Sequence, residues 1–233
     1  MEKQNKKAFT LAEIVIAVAI LGTIAALTIP IFFADSVTQK NQYVAGLKKT
    51  YTDFSYATDQ IKANNSGTLI GAFADVDAIV TKYCRYMKCS KTCGLGAAVS
   101  GGCFNAQAAI KNLQNGAYWN NPTSAGYRSF VLADGTLVFG ILTSTACTSS
   151  DGGEELAKIC GYLYIDVNGF KGPNTVGKDI FCIFIRQDKL SSAGNDPGTT
   201  HFDYNTYCDP ASTHTNNGIS CAARVLKEGK MLY

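Results

Sequence analysis

Hydrophobic and polar positions divide this chain into an apolar N-terminal run and a longer segment of mixed pattern. No charged residue lies in residues 14–34, a run of 21 residues. A helix needs about 20 apolar residues to cross the roughly 30 Å hydrocarbon core of a bilayer, so this run is long enough to span a membrane. The pattern therefore predicts a helix that is apolar on all sides.

Helical periodicity continues beyond this run. Apolar residues recur at spacings of three, four or seven: Val37, Val44, Leu47, Tyr51, Phe54 and Ile61. Lysines and aspartates lie between them, which is typical of an amphipathic helix. We therefore predict one helix over residues 9–63, ended by the turn-forming residues 64–67. Within it, Pro30 lacks a backbone donor and is expected to kink or locally melt the helix.

Short apolar runs in the C-terminal half predict a small sheet. Residues 130–133 and 136–139 flank Asp134-Gly135, and such a pair is the strongest short hairpin signal. Residues 162–165 and 180–185 predict two more strands. Three or four antiparallel strands need a partner for their apolar face, and the amphipathic half of the long helix supplies one. The predicted fold class is α+β, a roll of this helix on an antiparallel sheet.

The segment between the helix and the sheet has weaker patterns. Residues 75–89 predict a short amphipathic helix that leads into a cysteine-rich stretch. Residues 105–115 predict a second short helix, followed by an Asn-Gly turn.

The cysteine content and the basic N-terminus indicate the cellular compartment of the protein. The nine cysteines all lie in residues 84–221, which indicates an oxidising compartment outside the cytoplasm. Lys3, Lys6 and Lys7 precede the apolar run, and basic flanks stay in the cytoplasm, so the chain after residue 34 is expected outside. The net charge of +3 gives no reason to expect nucleic acid as a partner.

Glu13 is the one carboxylate at the start of the apolar run. An ionised acid in hydrocarbon costs roughly 2.5–3.5 kcal/mol on insertion scales, so Glu13 needs a cationic partner. The upstream lysines can reach it, or the new amine of Phe9 can pair with it if the leader is cut. The segment KKAFTLAEIVIAVAILGTIAALTIP resembles the N-terminal cleavage and methylation motif of type IV pilins and type II secretion pseudopilins. The shared features are a basic leader, a small residue, Phe-Thr-Leu-x-Glu, and an apolar run with a proline near its end.

The resemblance assigns roles to four residues. It implies that a prepilin peptidase cuts between Ala8 and Phe9 and that Phe9 is then N-methylated. Glu13 would serve methylation and subunit docking, and Pro30 would lie where the family helix bends or melts on assembly. This chain departs from the family at the cut, where Ala8 replaces the usual glycine.

The same resemblance divides the chain into three parts. Residues 1–8 form the leader, residues 9–63 the long helix, and residues 64–233 a disulfide-rich extracytoplasmic head. Within the helix, residues 9–34 are the transmembrane segment and filament core. The chain's end, residues 221–233, resembles the C-terminal strand of pilins.

Eight of the nine cysteines are disulfide candidates: Cys84, Cys89, Cys93, Cys103, Cys160, Cys182, Cys208 and Cys221. The first four lack the paired C-x2-C spacing of common zinc modules, so disulfides are preferred there. Cys160 and Cys182 lie at comparable places on neighbouring predicted strands and are a candidate pair. The resemblance favours Cys208 with Cys221, because many pilins close a C-terminal loop in this way.

A calcium site is one interpretation of the loop at residues 166–179, which reads DVNGFKGPNTVGKD. Asp166, Asn168 and Asp179 are ligand types that calcium uses, and some pseudopilins hold calcium in a head loop. The fifth and twelfth residues are Phe170 and Gly177, so this is not an EF-hand. A turn satisfied by Asx hydrogen bonds is the preferred interpretation. No metal or cofactor is predicted, and calcium stays the alternative.

No motif in the sequence indicates an enzyme. His201 and His214 are the two histidines and both lie in a polar loop. The chain lacks G-x-S-x-G, H-E-x-x-H and a phosphate-binding glycine loop. Tyr118, Trp119 and Tyr127 are interpreted as packing a loop onto the sheet rather than forming a binding surface.

The resemblance implies a structural subunit of a type IV pilus or a type II secretion filament, polymerised through its N-terminal helix. Implied partners are other pilin or pseudopilin subunits, the prepilin peptidase and an inner-membrane assembly platform. The implied location is the bacterial inner membrane, as a single-pass protein with its head outside the cytoplasm, and then an extracytoplasmic filament. One alternative is a minor tip pilin for adhesion or DNA uptake, and another is a signal-anchored extracytoplasmic enzyme.

Overall fold

The computed structural model describes residues 11–105, 109–118, 122–149, 158–194 and 203–233, apart from the side chains of residues 24–36 and 204. The chain divides into two units, residues 1–40 and residues 41–233. The described part of the first unit is helical throughout, and the second unit contains the sheet.

Helix α1 spans Leu11–Ala63 and ends where the sequence pattern predicts. The turn that follows has left-handed backbone at Ser66 and Gly67, with φ of 56° and 81°. The backbone of α1 stays helical through Pro30, and melting at that point on assembly stays a prediction. Across the residues that the structure describes, no helix combines the length and the apolarity that a membrane crossing requires. The predicted span over residues 9–34 therefore stays a prediction.

The head contains one antiparallel sheet whose strands follow one another in chain order. Its strands are β1 Cys89–Cys93, β2 Arg128–Leu132, β3 Leu137–Leu142, β4 Ile159–Asp166, β5 Ile180–Arg186 and β6 Leu190–Ser192. The four strands that the sequence predicts are β2 to β5, and the two edge strands are additional. The connections differ in length, from the short turn at residues 133–136 between β2 and β3 to residues 94–127 between β1 and β2.

The β2–β3 hairpin has the predicted turn. Val131 pairs with Leu137, and Gly135 adopts φ of +89°. The Thr136 amide donates to Asp134 Oδ1 over 3.0 Å. An aspartate that accepts from the backbone two residues on, next to a glycine with positive φ, explains why the Asp-Gly pair forms a tight turn.

Both faces of the sheet are buried. One face packs Phe130, Leu163 and Ile183 against Phe54 of α1, and the other packs Phe139, Tyr164 and their neighbours under loops. All seven residues of β5 are buried as a result. This two-sided burial explains why β5 reads as a continuous apolar run rather than an alternating one.

Among its described residues, the head also contains three helices: α2 Val76–Tyr86, α3 Tyr204–Tyr207 and α4 Cys221–Glu228. Helix α2 matches the short helix expected in residues 75–89, and Asp75 caps it by accepting from the Ala78 amide. The strand expected near the C-terminus is wrong, because α4 occupies most of that segment. Its alanines, leucine, lysine and glutamate favour a helix, and Gly229 ends it with a left-handed backbone (φ 74°).

The helix expected over residues 105–115 is also wrong in the described part of that segment. Asn112 Oδ1 accepts from the amides of Gln114 and Gly116, and Lys111 bridges to Ala117 and Thr175. Side-chain hydrogen bonds of this kind compete with helical ones and explain the difference.

Four disulfides fasten the head, and they join Cys84 to Cys89, Cys93 to Cys103, Cys147 to Cys160, and Cys208 to Cys221. The Cys208–Cys221 bond is the pair that the pilin resemblance favours. The predicted Cys160–Cys182 pair is wrong, because Cys182 lies opposite Tyr164 on the other face of the sheet. Cys182 is instead a buried free thiol, and burial raises its pKa.

Removal of the largest helix-to-sheet contact should destabilise the head. Phe54 is fully buried and lies 5.0 Å from the ring of Tyr83 and 6.3 Å from that of Phe130. Phe54→Ala is expected to lower the free energy of unfolding by about 3–5 kcal/mol in urea titrations of the full chain. Tyr56→Ala, at a residue that is 61% exposed, is the control and should cost less than about 0.5 kcal/mol. Equal losses would contradict this packing.

The cysteine pattern makes a second prediction about thiol labelling. Without reductant, the folded chain should resist alkylation, since Cys182 is fully buried and its pKa is raised. Unfolding in guanidinium without reductant should then admit one label per chain by mass spectrometry. Cys182→Ala should reduce that number to zero. More than one label on the unfolded wild type would mean that one of the four disulfides is absent.

Candidate functional site

The processing residues expected from the sequence lie at the start of the chain. Ala8 and Phe9 lie outside the described residues. Glu13 lies in the first turn of α1. The same stretch displays apolar side chains that are more than half exposed: Leu11, Ile14, Val15, Ile16, Val18, Ile20 and Leu21. Apolar side chains all around a helix need lipid or protein to cover them.

A second candidate region lies where α1 enters the head, at its residues 43–49. We call the contacts that hold this segment the clasp. They come from the β4–β5 loop (residues 167–179), the β2–β3 turn and the segment after α4. An apolar cluster lies beneath them and contains Tyr43, Val44, Leu47, Phe181, Ala222, Val225 and Met231.

The β4–β5 loop supplies two contacts of the clasp. Asn168 Nδ2 donates to the Tyr43 hydroxyl over 2.9 Å. Val167 packs so closely on Gly46 that a β-carbon placed there would lie 3.1 Å from Val167 Cβ. Gly46 therefore lets the loop approach the helix backbone, which is a common reason for a glycine inside an amphipathic helix.

Charged contacts supply the rest of the clasp. Lys49 Nζ lies 2.7 Å from Asp134 Oδ2 in the β2–β3 turn and 3.1 Å from Asp53 Oδ2. Hydrogen bonds to Asp134 and Asp53 raise the pKa of Lys49. Lys48 Nζ donates to the Gly229 carbonyl over 3.4 Å. Because Lys49 and its partners are exposed, each such pair is worth only about 0–1 kcal/mol.

The comparison with known families bears on the first region. A family model of the prokaryotic N-terminal methylation motif matches residues 3–29. The chain carries this motif. This motif is the signature of type IV pilin and pseudopilin precursors. No curated protein and no solved structure matches it.

The two acids at the ends of the β4–β5 loop act as acceptors for turn amides. Asp179 accepts with both oxygens, from the amide of Asn174 at 2.8 Å and that of Thr175 at 2.6 Å. Asp166 Oδ1 accepts from the amides of Asn168 and Gly169. Burial raises the pKa of Asp179, and burial together with the charge of Asp179 raises the pKa of Asp166 well above its ordinary value.

These contacts form Asx hydrogen bonds of the predicted kind, and the expectation that the loop holds no calcium stays a prediction. Calcium takes six to eight oxygen ligands, and both oxygens of Asp179 are already engaged by amides. Within the described ranges, no cluster of three or more His, Cys, Asp or Glu side chains is arranged to hold a metal ion.

The other residues considered for chemistry have structural contacts. His214 Nδ1 accepts from the Asn216 amide, and its ring packs on Tyr207, while His201 lies outside the described residues. Tyr118 and Tyr127 are buried against Tyr164, as expected for a loop packed on the sheet. Trp119 lies outside the described residues.

One cleft of about 290 Å³ lies beside the clasp. Its charged side chains are Lys49, Lys88, Asp53 and Asp134. Both carboxylates are bound by Lys49. Although burial opposes it, the hydrogen bond from Lys49 lowers the pKa of Asp134, so this carboxylate stays ionised rather than acting as a general acid.

The close approach at Gly46 predicts a steric test of the clasp. Gly46→Val should clash with Val167 and lower the free energy of unfolding by about 1–3 kcal/mol in urea titrations. Ala45→Val, on the exposed side of the same turn, is the matched control and should cost less than about 1 kcal/mol. Val167→Ala added to Gly46→Val should restore part of the loss, because it removes the clashing atoms. A Gly46→Val chain as stable as the control would refute the contact.

Proposed function

We propose that this chain is a structural subunit of a type IV pilus or a type II secretion filament and that it polymerises through its N-terminal helix. The observation that carries the proposal is the methylation motif at residues 3–29, on a helix that displays apolar side chains all around. A helix of this kind is stable in a bilayer or in a bundle of identical helices. Both environments are needed by a protein that waits in a membrane and is then assembled.

Processing prepares the end of the helix for assembly. Cleavage between Ala8 and Phe9 leaves a cationic amine at the head of an apolar helix, and N-methylation of Phe9 keeps that charge. Glu13 is four residues further on, so it lies on the same face of the helix as this amine. An acid in an apolar environment is costly unless it is paired. Pairing Glu13 with the amine of a neighbouring subunit would therefore set the register of the helices.

Assembly transfers the apolar face from lipid to protein. Lipid already covers these side chains, so the gain comes from close packing and the ion pair rather than from escape from water. Pro30 supports this step, because its missing donor leaves α1 easier to open locally at that point. The proposal requires no cofactor and no catalytic residue.

The proposed partners and location follow from the same steps. Before assembly the chain is a single-pass protein of the bacterial inner membrane, where it meets the prepilin peptidase and the assembly platform. Its head lies outside the cytoplasm, which suits four disulfides in the described chain. Other pilin or pseudopilin subunits are its partners in the filament.

A minor pilin at the filament tip is the second candidate. The segment between α1 and β2 favours it, because this segment carries the Cys84–Cys89 and Cys93–Cys103 bonds and exposes Leu95. A disulfide-bonded segment of this kind suits a subunit with a specific binding surface for adhesion or DNA uptake. Immunogold labelling of filaments distinguishes the two, since a main subunit labels the whole shaft and a tip subunit labels one end.

The first test is the mass of the N-terminus in the native host. The mature chain is expected to begin at N-methylated Phe9, both in the membrane and in the filament fraction. Ala8→Gly should keep this product, because glycine is also small, whereas Ala8→Arg should leave the leader in place. A wild-type chain that still begins at Met1 in both fractions would refute processing.

The second test concerns the acid at the head of the helix. Glu13→Gln should leave the chain in the membrane but abolish its recovery in sheared filaments, because the amine of the neighbouring subunit loses its counter-ion. Glu2→Gln is the matched control, since Glu2 lies in the part that cleavage removes. Normal filament yield with Glu13→Gln would contradict the ion-pair mechanism.

A further inference from the structure

The β4–β5 loop contains a buried pair of acids that the filament proposal does not use. Asp166 and Asp179 have no exposed surface, and each raises the electrostatic cost of charging the other. Such a pair rarely carries two negative charges, because a buried carboxylate needs hydrogen bonds or a cation to stay ionised.

The hydrogen bonds show which of the two acids is better suited to the charge. Both oxygens of Asp179 accept from backbone amides. Asp166 accepts with Oδ1 alone, and its buried Oδ2 has no hydrogen-bond partner. Asn168 Oδ1, in the same turn, is a second buried acceptor without a donor. The turn therefore lacks donors, and a proton on Asp166 Oδ2 would supply one.

We propose that Asp166 and Asp179 hold one proton between them, carried on Asp166 Oδ2, and that release of this proton as pH rises loosens the clasp on α1. The link to α1 is short. Asn168 and Val167 follow Asp166 directly, and they make the contacts with Tyr43 and Gly46. A second charge in the loop would disturb the turn that positions both residues.

The charged and titratable groups around the pair do not supply the missing partner. From α1, the Tyr43 hydroxyl is used by Asn168, and Lys49 is held by Asp134 and Asp53. Other charged or titratable groups of the loop and of the elements packed on it are Lys48, Lys111, Lys171, Lys178, Arg224, Lys227, Glu228 and Tyr233. Of these, Tyr233 donates its hydroxyl to the Gly177 carbonyl.

The direction of the pH dependence follows from proton linkage. An aspartate in the unfolded chain has a pKa of about 3.9. Because burial raises the pKa of Asp166, the folded head binds its proton more tightly than the unfolded chain does. The stabilisation is therefore complete below about pH 4 and is lost as pH rises through the folded-state pKa. Ordinary carboxylates with lowered pKa values give the opposite trend.

The primary experiment is carboxyl-carbon NMR of the full chain in detergent. The Asp166 signal is expected to titrate well above pH 4, and the Asp179 signal should change in the same pH range because the pair is coupled. Asp188, an exposed acid near the end of β5, provides the reference signal. An Asp166 signal that titrates at about pH 4, the value for an aspartate in an unfolded chain, would overturn the proposal.

Hydrogen exchange then tests the link to α1. After correction for the intrinsic rate, the amides of residues 43–49 should exchange faster above the Asp166 transition than below it, because local opening costs less once the clasp is loosened. Asp166→Asn, which keeps the shape and adds the missing donor, should remove this pH dependence. Asp188→Asn should leave it unchanged. A change that persists in Asp166→Asn would overturn the proposal.

Two controls keep the result interpretable. Should Asp166→Asn fail to fold, the wild-type NMR titration still decides the question. Calcium chloride at millimolar concentration is added in a parallel titration. If it removes the pH dependence in wild type and raises Tm, a cation and not a proton fills the site, and the proposal is wrong. The test uses the purified chain alone, so its failure leaves the filament proposal untouched.

Discussion

One helix has to satisfy two different environments, and most of this structure follows from that constraint. At its N-terminal end, α1 displays apolar side chains in every direction, whereas from Tyr43 onward it presents one buried face. The first surface needs lipid or identical neighbours, and the second is satisfied by the sheet of its own chain. The same continuous helix therefore joins the apolar segment, which we propose for filament assembly, to the folded head.

The head is built to stay attached to this helix. Its sheet is buried on both faces, so the strands cannot move to another partner without exposing a core. The disulfides crosslink segments around the sheet, and the Cys147–Cys160 bond joins a loop to β4 directly. By contrast, the clasp at residues 43–49 consists of one close backbone approach, a few hydrogen bonds and exposed ion pairs. These polar contacts add to the apolar cluster beneath them, in which Leu47 is fully buried.

Local patterns in the sequence were sufficient wherever the signal was local. The end of α1, the Asp-Gly hairpin and the four central strands each depend on residues within a few positions of one another. One failure depends on long-range context, because the face of the sheet that Cys160 occupies depends on the irregular register at the start of β4, which no spacing in the sequence reveals. The C-terminal helix was missed because family resemblance outweighed the helix-forming residues after Cys221. In residues 43–49, the periodicity predicted that Val44 and Leu47 are buried, whereas the contacts of Asn168 and Val167 with α1 had no signal in the sequence.

Asp166 and Asp179, at the ends of the β4–β5 loop, are unfavourable to bury because a carboxylate loses its hydration. An apolar pair at Asp166 and Asp179 would avoid the cost of burial, but it would leave the amides of residues 168, 169, 174 and 175 without acceptors. The loop needs acceptors for these amides because its turn presents Val167 and Asn168 to α1. Two carboxyls fulfil that need with one oxygen to spare, Asp166 Oδ2. The turn that positions Val167 and Asn168 against α1 thus also leaves Asp166 Oδ2 without a hydrogen-bond partner. The contact with α1 and the proposed response to pH therefore come from the same turn.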